Sequence, residues 1–229
     1  MKKMLLLFSV QFLLMGILNA QVQENEPNNS LQTADILQEA TQKNGSVSIA
    51  DARDYFSTTL AADGTVQVIV TGTNTGSANG YLRFYFYDRS GRELVNKILA
   101  NKTDVAPGAT VTDTIRIYSR GADQVYFLMY ADNQPFNYTI RYQLTTQSAN
   151  DAEPNNSTAQ AGSFNEAVLK SGHVGYTTDG VYDSRDYYKT TLSADGTIKL
   201  YASGTNTGNT PGYLKVYLYD KSGRELLNR

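Results

Sequence analysis

The sequence predicts an all-β protein built from antiparallel β-sandwich units. Strict alternation in short tracts, turn chemistry between them, and a long stretch that occurs twice carry that expectation. In Tyr81–Tyr87, Leu82, Phe84 and Phe86 fall on one side of a strand and Tyr81, Arg83, Tyr85 and Tyr87 on the other. The Leu/Phe side is the expected core face. "DRSG" (Asp88–Gly91) is turn chemistry with Gly supplying a positive φ, so a hairpin should join Tyr81–Tyr87 to Glu93–Lys97. "ADG" (Ala62–Gly64) and "APG" (Ala106–Gly108) mark further turns. Thr110–Ser119, Gln124–Asp132 and Phe136–Thr146 read as three later strands. Ser30–Leu37 predicts one helical turn, capped by Asn29 or Ser30.

Self-comparison sets the organisation. "ARDYFSTTLAADGTV" (Ala52–Val66) returns as "SRDYYKTTLSADGTI" (Ser184–Ile198), and "GYLRFYFYDRSGRELVNK" (Gly80–Lys97) as "GYLKVYLYDKSGRELLNR" (Gly212–Arg229). "ENEPNNS" (Glu24–Ser30) returns as "AEPNNS" (Ala152–Ser157). The offset is 127 residues at the acidic heptad and 132 afterwards, with an insertion near "YTTDG" (Tyr176–Gly180). A repeat this long is a domain duplication rather than a solenoid. The expected units are a sandwich over 21–147, a linker over 148–152 and a second, incomplete sandwich over 153–229. Counterparts of the three later strands do not follow Arg229. The sequence therefore reads as a fragment of a longer exported protein.

Lys2 and Lys3, the apolar run Met4–Leu18 and Ala20 describe a secretory signal peptide over 1–20. The run is shorter than the roughly 20 residues of a membrane span, and cleavage would leave none. The expected setting is secreted, extracellular or at a bacterial cell surface. With no Cys, neither disulfides nor thiolate metal sites are available, so stability must come from the core or from a metal such as calcium. A net charge of -2 without a basic stripe argues against nucleic acid. The expected state is a monomer.

The heptad offers Glu24, Glu26, Asn28 and Asn29 as hard oxygen donors, and "GSVSIADARDYF" (Gly45–Phe56) adds Asp51 and Asp54 ahead of a strand. The second copy keeps Glu153, Asn155, Asn156, Asp183 and Asp186, and has Asp151 two residues before Glu153. Calcium takes about six to eight oxygen ligands, which two such clusters supply when brought together. Carboxylates crowded this way repel one another unless a cation lies between them. The alternative for the heptad alone is a capped turn.

The order E-x-E-P-N-N-S, a Gly-containing strand, D-x-R-D-Y and an ADGT turn resembles the bacterial pre-peptidase C-terminal domain, whose relatives include the collagen-binding domains of clostridial collagenases. The likeness spans 24–147 fully and 151–229 in part. It implies jelly-roll β-sandwiches appended to secreted peptidases and other exported proteins. It also implies calcium held by the acidic segment and the Asp pair. Carried over, the ligands are Glu24, Glu26, Asn28, Asn29, Asp51 and Asp54, with Ser46 weaker, and Asp151, Glu153, Asn155, Asn156, Asp183 and Asp186 in the second copy. His173 stands where Ser46 does. Calcium-binding relatives often carry Asp in place of Asn29 and Asn156, and fewer charges weaken affinity. In the collagen-binding relatives a Tyr-lined sheet face contacts collagen. By position Tyr126 and Tyr130 fall on that face, but Asp132 replaces a further aromatic, which counts against collagen. The alternative is that the tyrosines pack within and between sheets.

An enzyme is not expected. His173 is the only His, and neither a G-x-S-x-G nor an H-E-x-x-H motif occurs. The expected function is non-catalytic: a secreted calcium-binding module for binding or adhesion to an extracellular protein or polysaccharide. The alternative is an export or folding accessory, or a spacer, appended to a secreted hydrolase.

Overall fold

The computed structural model describes residues 21–121, 123–147, 149, 151–178, 181–207 and 211–229, so the signal-peptide expectation lies outside the described residues. Ten strands form residues 21–146: β1 (Gln21–Gln23), β2 (Asp35–Ile36), β3 (Gln42–Val47), β4 (Arg53–Thr59), β5 (Gly64–Asn74), β6 (Arg83–Tyr87), β7 (Glu93–Ile98), β8 (Thr110–Ser119), β9 (Gln124–Tyr130) and β10 (Phe136–Thr146). They make two five-stranded sheets, one in the order β1-β3-β10-β5-β8 and the other β2-β4-β9-β6-β7. Pairing is antiparallel except for β1 with β3 and β2 with β4. Among the described residues no helix is long and apolar enough to cross a membrane.

Alternation decides which face of each sheet turns inward. Leu82, Phe84 and Phe86 are fully buried, as are Phe56 and Phe127 from the neighbouring strands. From the opposite sheet Val66, Val68, Val70, Phe136 and Ile140 close the core. Burying each large side chain contributes roughly 1.5–3 kcal/mol. Phe127 lies at the junction: its ring is 5.4 Å from Phe86 in an edge contact and 5.7 Å from Tyr142 of β10 in a stacked one.

The expected hairpin is present, joining β6 to β7. Asp88 Oδ1 accepts from the Ser90 and Arg92 amides at 2.9 and 3.0 Å, and Gly91 takes φ +79°. The same turn recurs at Asp220, whose Oδ1 accepts from the Ser222 and Arg224 amides at 2.9 and 3.1 Å. Gly223 there takes φ +82°. The helical turn is a 3-10 turn, Leu31–Thr33, with Ser30 at its N-cap.

Residues 151–229 are organised differently. Among the described residues they carry three two-stranded pairs: Gly162–Ser163 with Tyr188–Lys189, Tyr176–Thr178 with Val181–Asp183, and Tyr217–Tyr219 with Glu225–Asn228. Residues 196–206, counterparts of β5, form no strand, and Leu192, Ile198, Leu200 and Tyr201 are exposed. The reason lies in the topology. β5 is paired on both sides, by β10 and β8. Residues 151–229 hold no counterpart of either.

A buried ion pair anchors the acidic segment. Lys43 Nζ bonds to Asp35 Oδ2, and both side chains are almost inaccessible. Asp35 also accepts from the Asn25 amide at 2.9 Å and from Asn25 Nδ2 at 3.1 Å. Burial alone would raise the Asp35 carboxyl, but the bonds from Lys43 and Asn25 outweigh it and hold the group below its usual range. A carboxyl lowered by folding contributes stability that is complete above its unfolded value and lost as pH falls through its folded value. Acid unfolding should therefore steepen below about pH 4. The Asp35→Asn, Lys43→Met double variant, followed by circular dichroism, should lack that part of the acid loss.

Candidate metal centre

The heptad crosses the end of the sandwich and is pinned by main-chain bonds. The Glu24 amide donates to the Asn44 carbonyl at 3.0 Å, and the Asn28 carbonyl accepts from the Tyr55 amide at 2.8 Å. These bonds bring the heptad beside β4, which carries Asp54. Glu24, Glu26 and Asp54 each place a carboxylate oxygen within 4.8 Å of the others. Glu26 Oε2 accepts from the Asn28 amide at 2.9 Å, and Asn28 Nδ2 donates to Glu24 Oε2 at 3.2 Å. Asn28 and Asp54 are wholly buried, yet among the described residues Asn28 Oδ1, Asp54 Oδ1 and the buried Oδ1 of Asp51 have no hydrogen-bond partner.

The second copy repeats this arrangement. Asp151, Glu153 and Asp186 bring carboxylate oxygens within 4.8 Å of one another. The Asp151 amide donates to the Ser171 carbonyl at 3.3 Å, and the Asn155 carbonyl accepts from the Tyr187 amide at 2.9 Å. Glu153 Oε2 accepts from the Asn155 amide at 3.0 Å. Among the described residues the buried Oδ1 of Asn155, Oδ2 of Asp183 and Oδ1 of Asp186 have no partner. With its amide turned to pair, Asn156 donates to the Arg185 carbonyl at 2.9 Å and to Asp183. Both Glu–Pro bonds, Glu26–Pro27 and Glu153–Pro154, are cis.

Not every expected residue joins a cluster. The Asn29 side chain is exposed. Ser46 contributes its amide, which donates to Glu24 Oε1 at 2.9 Å, while its side chain faces solvent. His173, in the Ser46 position, stacks on Tyr118 with ring centroids 4.0 Å apart and pairs with Gln147.

Two further residues shape the site without being read as ligands in the sequence: Tyr138 lies outside the motifs, and Gly45 opens the second one. The Tyr138 hydroxyl lies 2.6 Å from Glu24 Oε2 and 2.7 Å from Asp54 Oδ2. One hydroxyl proton satisfies one carboxylate only. Gly45 forms the floor, where a Cβ would run into the Tyr138 hydroxyl and Glu24 Oε2. Gly172 takes the same place against Asp151 and Asp186. The pairing of Gly45 with Gly172 at the 127-residue offset was the available signal. Tyr138 comes from β10, which has no second copy to compare.

Electrostatics follow from this crowding. Burial, with the charges of Glu24 and Glu26 added, pushes the Asp54 carboxyl up to about 9 against the opposing bond from Tyr138. Burial and the neighbouring carboxylates raise Asp186 to about 7 and Asp183 to about 6. Burial raises Glu26, and Asp51, Glu24 and Asp35 add to it. The protein alone keeps these groups ionised only at a cost. A cation touching the unpaired oxygens would remove it, and the donors are all oxygen, which suits a hard ion.

Tyr126 and Tyr130 lie elsewhere, half-exposed on the outer face of the β2-β4-β9-β6-β7 sheet. Strand register arranges that face in rows: Arg53, Tyr130 and Arg83; Tyr55, Leu128 and Tyr85; Ser57, Tyr126 and Tyr87. Tyr81 is tied at its edge, donating to Asp132 Oδ2 at 2.7 Å.

Fold and site together define an all-β sandwich with a carboxylate cluster at the end of its first β-sheet pair and a second such cluster after it. No family model and no curated protein matches the sequence. Among solved structures, the chain is similar to the pre-peptidase C-terminal domain of collagenase from Bacillus anthracis, at 14% identity and a TM-score of 0.33, over 55% of this chain and 96% of that one. It is also similar to the K3 cleaved adhesin domain of Lys-gingipain from Porphyromonas gingivalis w83, at 19% identity and a TM-score of 0.27, over 41% of this chain and 63% of that one. A family GH115 4-O-methyl-α-glucuronidase matches at 9% identity and a TM-score of 0.33, over 47% of this chain and 15% of that one.

Proposed function

We propose that the chain is a non-catalytic extracellular module of a secreted bacterial protein, stiffened by calcium and used to hold an extracellular polymer or protein. One observation carries the reading. Two clusters of three carboxylates occupy repeat-equivalent places, each with buried oxygens that find no hydrogen-bond partner among the described residues. Glu24, Glu26, Asp54 and Asp51, with the Asn28 oxygen, supply the first donor set. Asp151, Glu153, Asp186 and Asp183, with the Asn155 oxygen, supply the second. Both sets lack nitrogen and sulfur ligands, which selects hard cations. Several flexible carboxylates of uneven reach favour calcium over magnesium, which demands near-ideal octahedral geometry.

Calorimetric titration of the chelator-treated chain tests this. Two calcium ions per chain, with magnesium binding far more weakly, is the expected result, and no heat beyond dilution would remove the reading. Retention on an immobilised polymer favours the binding role. Calcium stabilisation with nothing retained favours the spacer role.

Gly45→Ala gives a sharper check. The added methyl displaces Glu24 or Tyr138, whose ring belongs to the core. Calcium affinity at the first site should fall about 10–100-fold, as for other changes that misplace metal ligands. The far-ultraviolet circular dichroism spectrum should not change.

A further inference from the structure

Several core positions drift between the two copies: Phe84 becomes Val216, Phe86 becomes Leu218, Phe56 becomes Tyr188 and Val70 becomes Ala202. On β4 and β6 the outward tyrosines and basic residues do not, although Ser57 becomes Lys189 and, on β5, Gln67 becomes Lys199 and Ile69 becomes Tyr201. Arg53, Tyr55, Tyr81, Tyr85 and Tyr87 return as Arg185, Tyr187, Tyr213, Tyr217 and Tyr219, and Arg83 returns as a basic Lys215. Core packing explains the first set and is indifferent to the second. Something that touches the outer face is the physical reason for keeping it.

The geometry says what touches it. Tyr85 and Tyr87 lie nearly parallel, 14° apart, with centroids separated by 6.0 Å. Tyr55 and Tyr130 flank them at 6.3 Å. The rings form a continuous floor around a depression of about 270 Å³ lined by Arg53, Tyr55, Tyr85, Tyr87, Leu128 and Tyr130. That is smaller than the roughly 300–1,000 Å³ of sites that enclose a small molecule. An extended polymer laid along the floor fits it better. Arg53 sits 5.7 Å over the Tyr130 ring and Arg83 5.1 Å over the Tyr81 ring. Neither guanidinium is paired with a carboxylate among the described residues, and Arg83 Nε is buried without a partner. In the second copy Tyr217 and Tyr219 keep the same stacking, 14° and 6.1 Å, and Lys215 lies 5.3 Å over Tyr213.

We propose that this tyrosine floor with its arginine rim binds a polyuronate, a polysaccharide whose sugar rings present a flat C–H face to the tyrosines and a carboxylate to the arginines. The inference rests on the reading of the chain as an extracellular binding module and names its ligand class. Tyrosine supplies a broad apolar face with a polar tip. Guanidinium is the matching partner for a carboxylate, bidentate and weakly hydrated. The second copy repeats only part of the floor, the Tyr217–Tyr219 pair and Lys215 over Tyr213, since residues 151–229 hold no counterpart of Leu128 and Tyr130.

Affinity electrophoresis of the full chain tests it, in gels containing polygalacturonate or neutral amylose, without added calcium. Retardation by polygalacturonate alone is expected. The Arg53→Gln, Arg83→Gln pair should weaken it at least tenfold, and so should the Tyr85→Ala, Tyr87→Ala pair. The Tyr85→Phe, Tyr87→Phe pair should keep most of it. Lys199→Gln with Lys221→Gln, which removes equal charge away from the floor, should change it little. Equal retardation in amylose overturns the ligand class, as does equal binding to gelatin or to a single-stranded oligonucleotide. Arginine variants that bind as the parent does overturn the site. Each variant is also melted with and without calcium. Calcium stabilisation without any retardation overturns the floor and leaves the metal reading standing. Arginine-dependent retardation without a calcium response supports the floor and ends the metal reading.

Discussion

Asp54→Asn should reverse the order of stability between calcium and chelator. In calcium the parent protein gains free energy in proportion to RT ln(1 + [Ca]/Kd), about 4 kcal/mol at a thousandfold excess over Kd. For a sandwich of this size that is an upward shift of roughly 10–20 °C in Tm. The variant loses a ligand at the centre of the cluster and should show almost none of that shift. In chelator the sign changes. Asp54 is wholly buried among Glu24 and Glu26, and its carboxyl is pushed up to about 9, so the folded parent must either hold a proton or bear the repulsion. Asn removes that charge and keeps a group able to pair with the Tyr138 hydroxyl. The variant should therefore melt above the parent in chelator and below it in calcium. An equal loss in both conditions would mean that Asp54 is an ordinary packing residue. The second site needs a different readout, because among the described residues the stretch 151–229 carries no sandwich core whose melting would report on it. There Asp186→Asn should remove one ion from the calorimetric stoichiometry and leave the melting of the first sandwich unchanged.

The parts legible in the sequence were those set by neighbours along the chain. Alternation in Tyr81–Tyr87 gave the correct buried face, since a strand has period two whatever it pairs with. The Asp88–Gly91 turn formed as expected in both copies, because its bonds close within five residues. The strands Thr110–Ser119 and Phe136–Thr146 have the bounds their patterns suggested. The convergence of the heptad with Asp54 was legible for another reason. The chain carries both stretches twice, and two separated acidic motifs retained together imply contact. Tyr138 was not legible. It reaches Glu24 across 114 positions through the pairing of β10 with β3, a long-range register that local pattern does not encode. The short parallel strands β1 and β2 were missed likewise, because two or three residues carry no periodicity. Spacing alone does not say which of two adjacent amides faces inward. In the heptad Asn28 is buried and Asn29 is exposed.

Phe127→Ala should cost about 3–5 kcal/mol, the range for truncating a buried Phe, out of roughly 5–15 kcal/mol for a whole domain. The cost belongs near the top of that range. Phe127 is fully buried and its ring meets Phe84, Phe86 and, across the sheets, Tyr142, so no single neighbour can move to fill the space. In chelator the variant should be largely unfolded at room temperature, read as loss of the far-ultraviolet β signal. Calcium should restore it. Linkage acts on whatever folded state exists, and Asp54 is held by β4 against β9 at Met129, two residues from the deletion. The increment from saturating calcium should match that of the parent within about 0.5 kcal/mol, as for independent sites. The Phe127→Ala, Asp54→Asn double variant should gain no folded signal from calcium at any concentration. Rescue of the double variant would place the stabilising ion somewhere other than the cluster. A rescue of Phe127→Ala well short of the parent's increment would mean instead that the core packing itself holds the carboxylates in position.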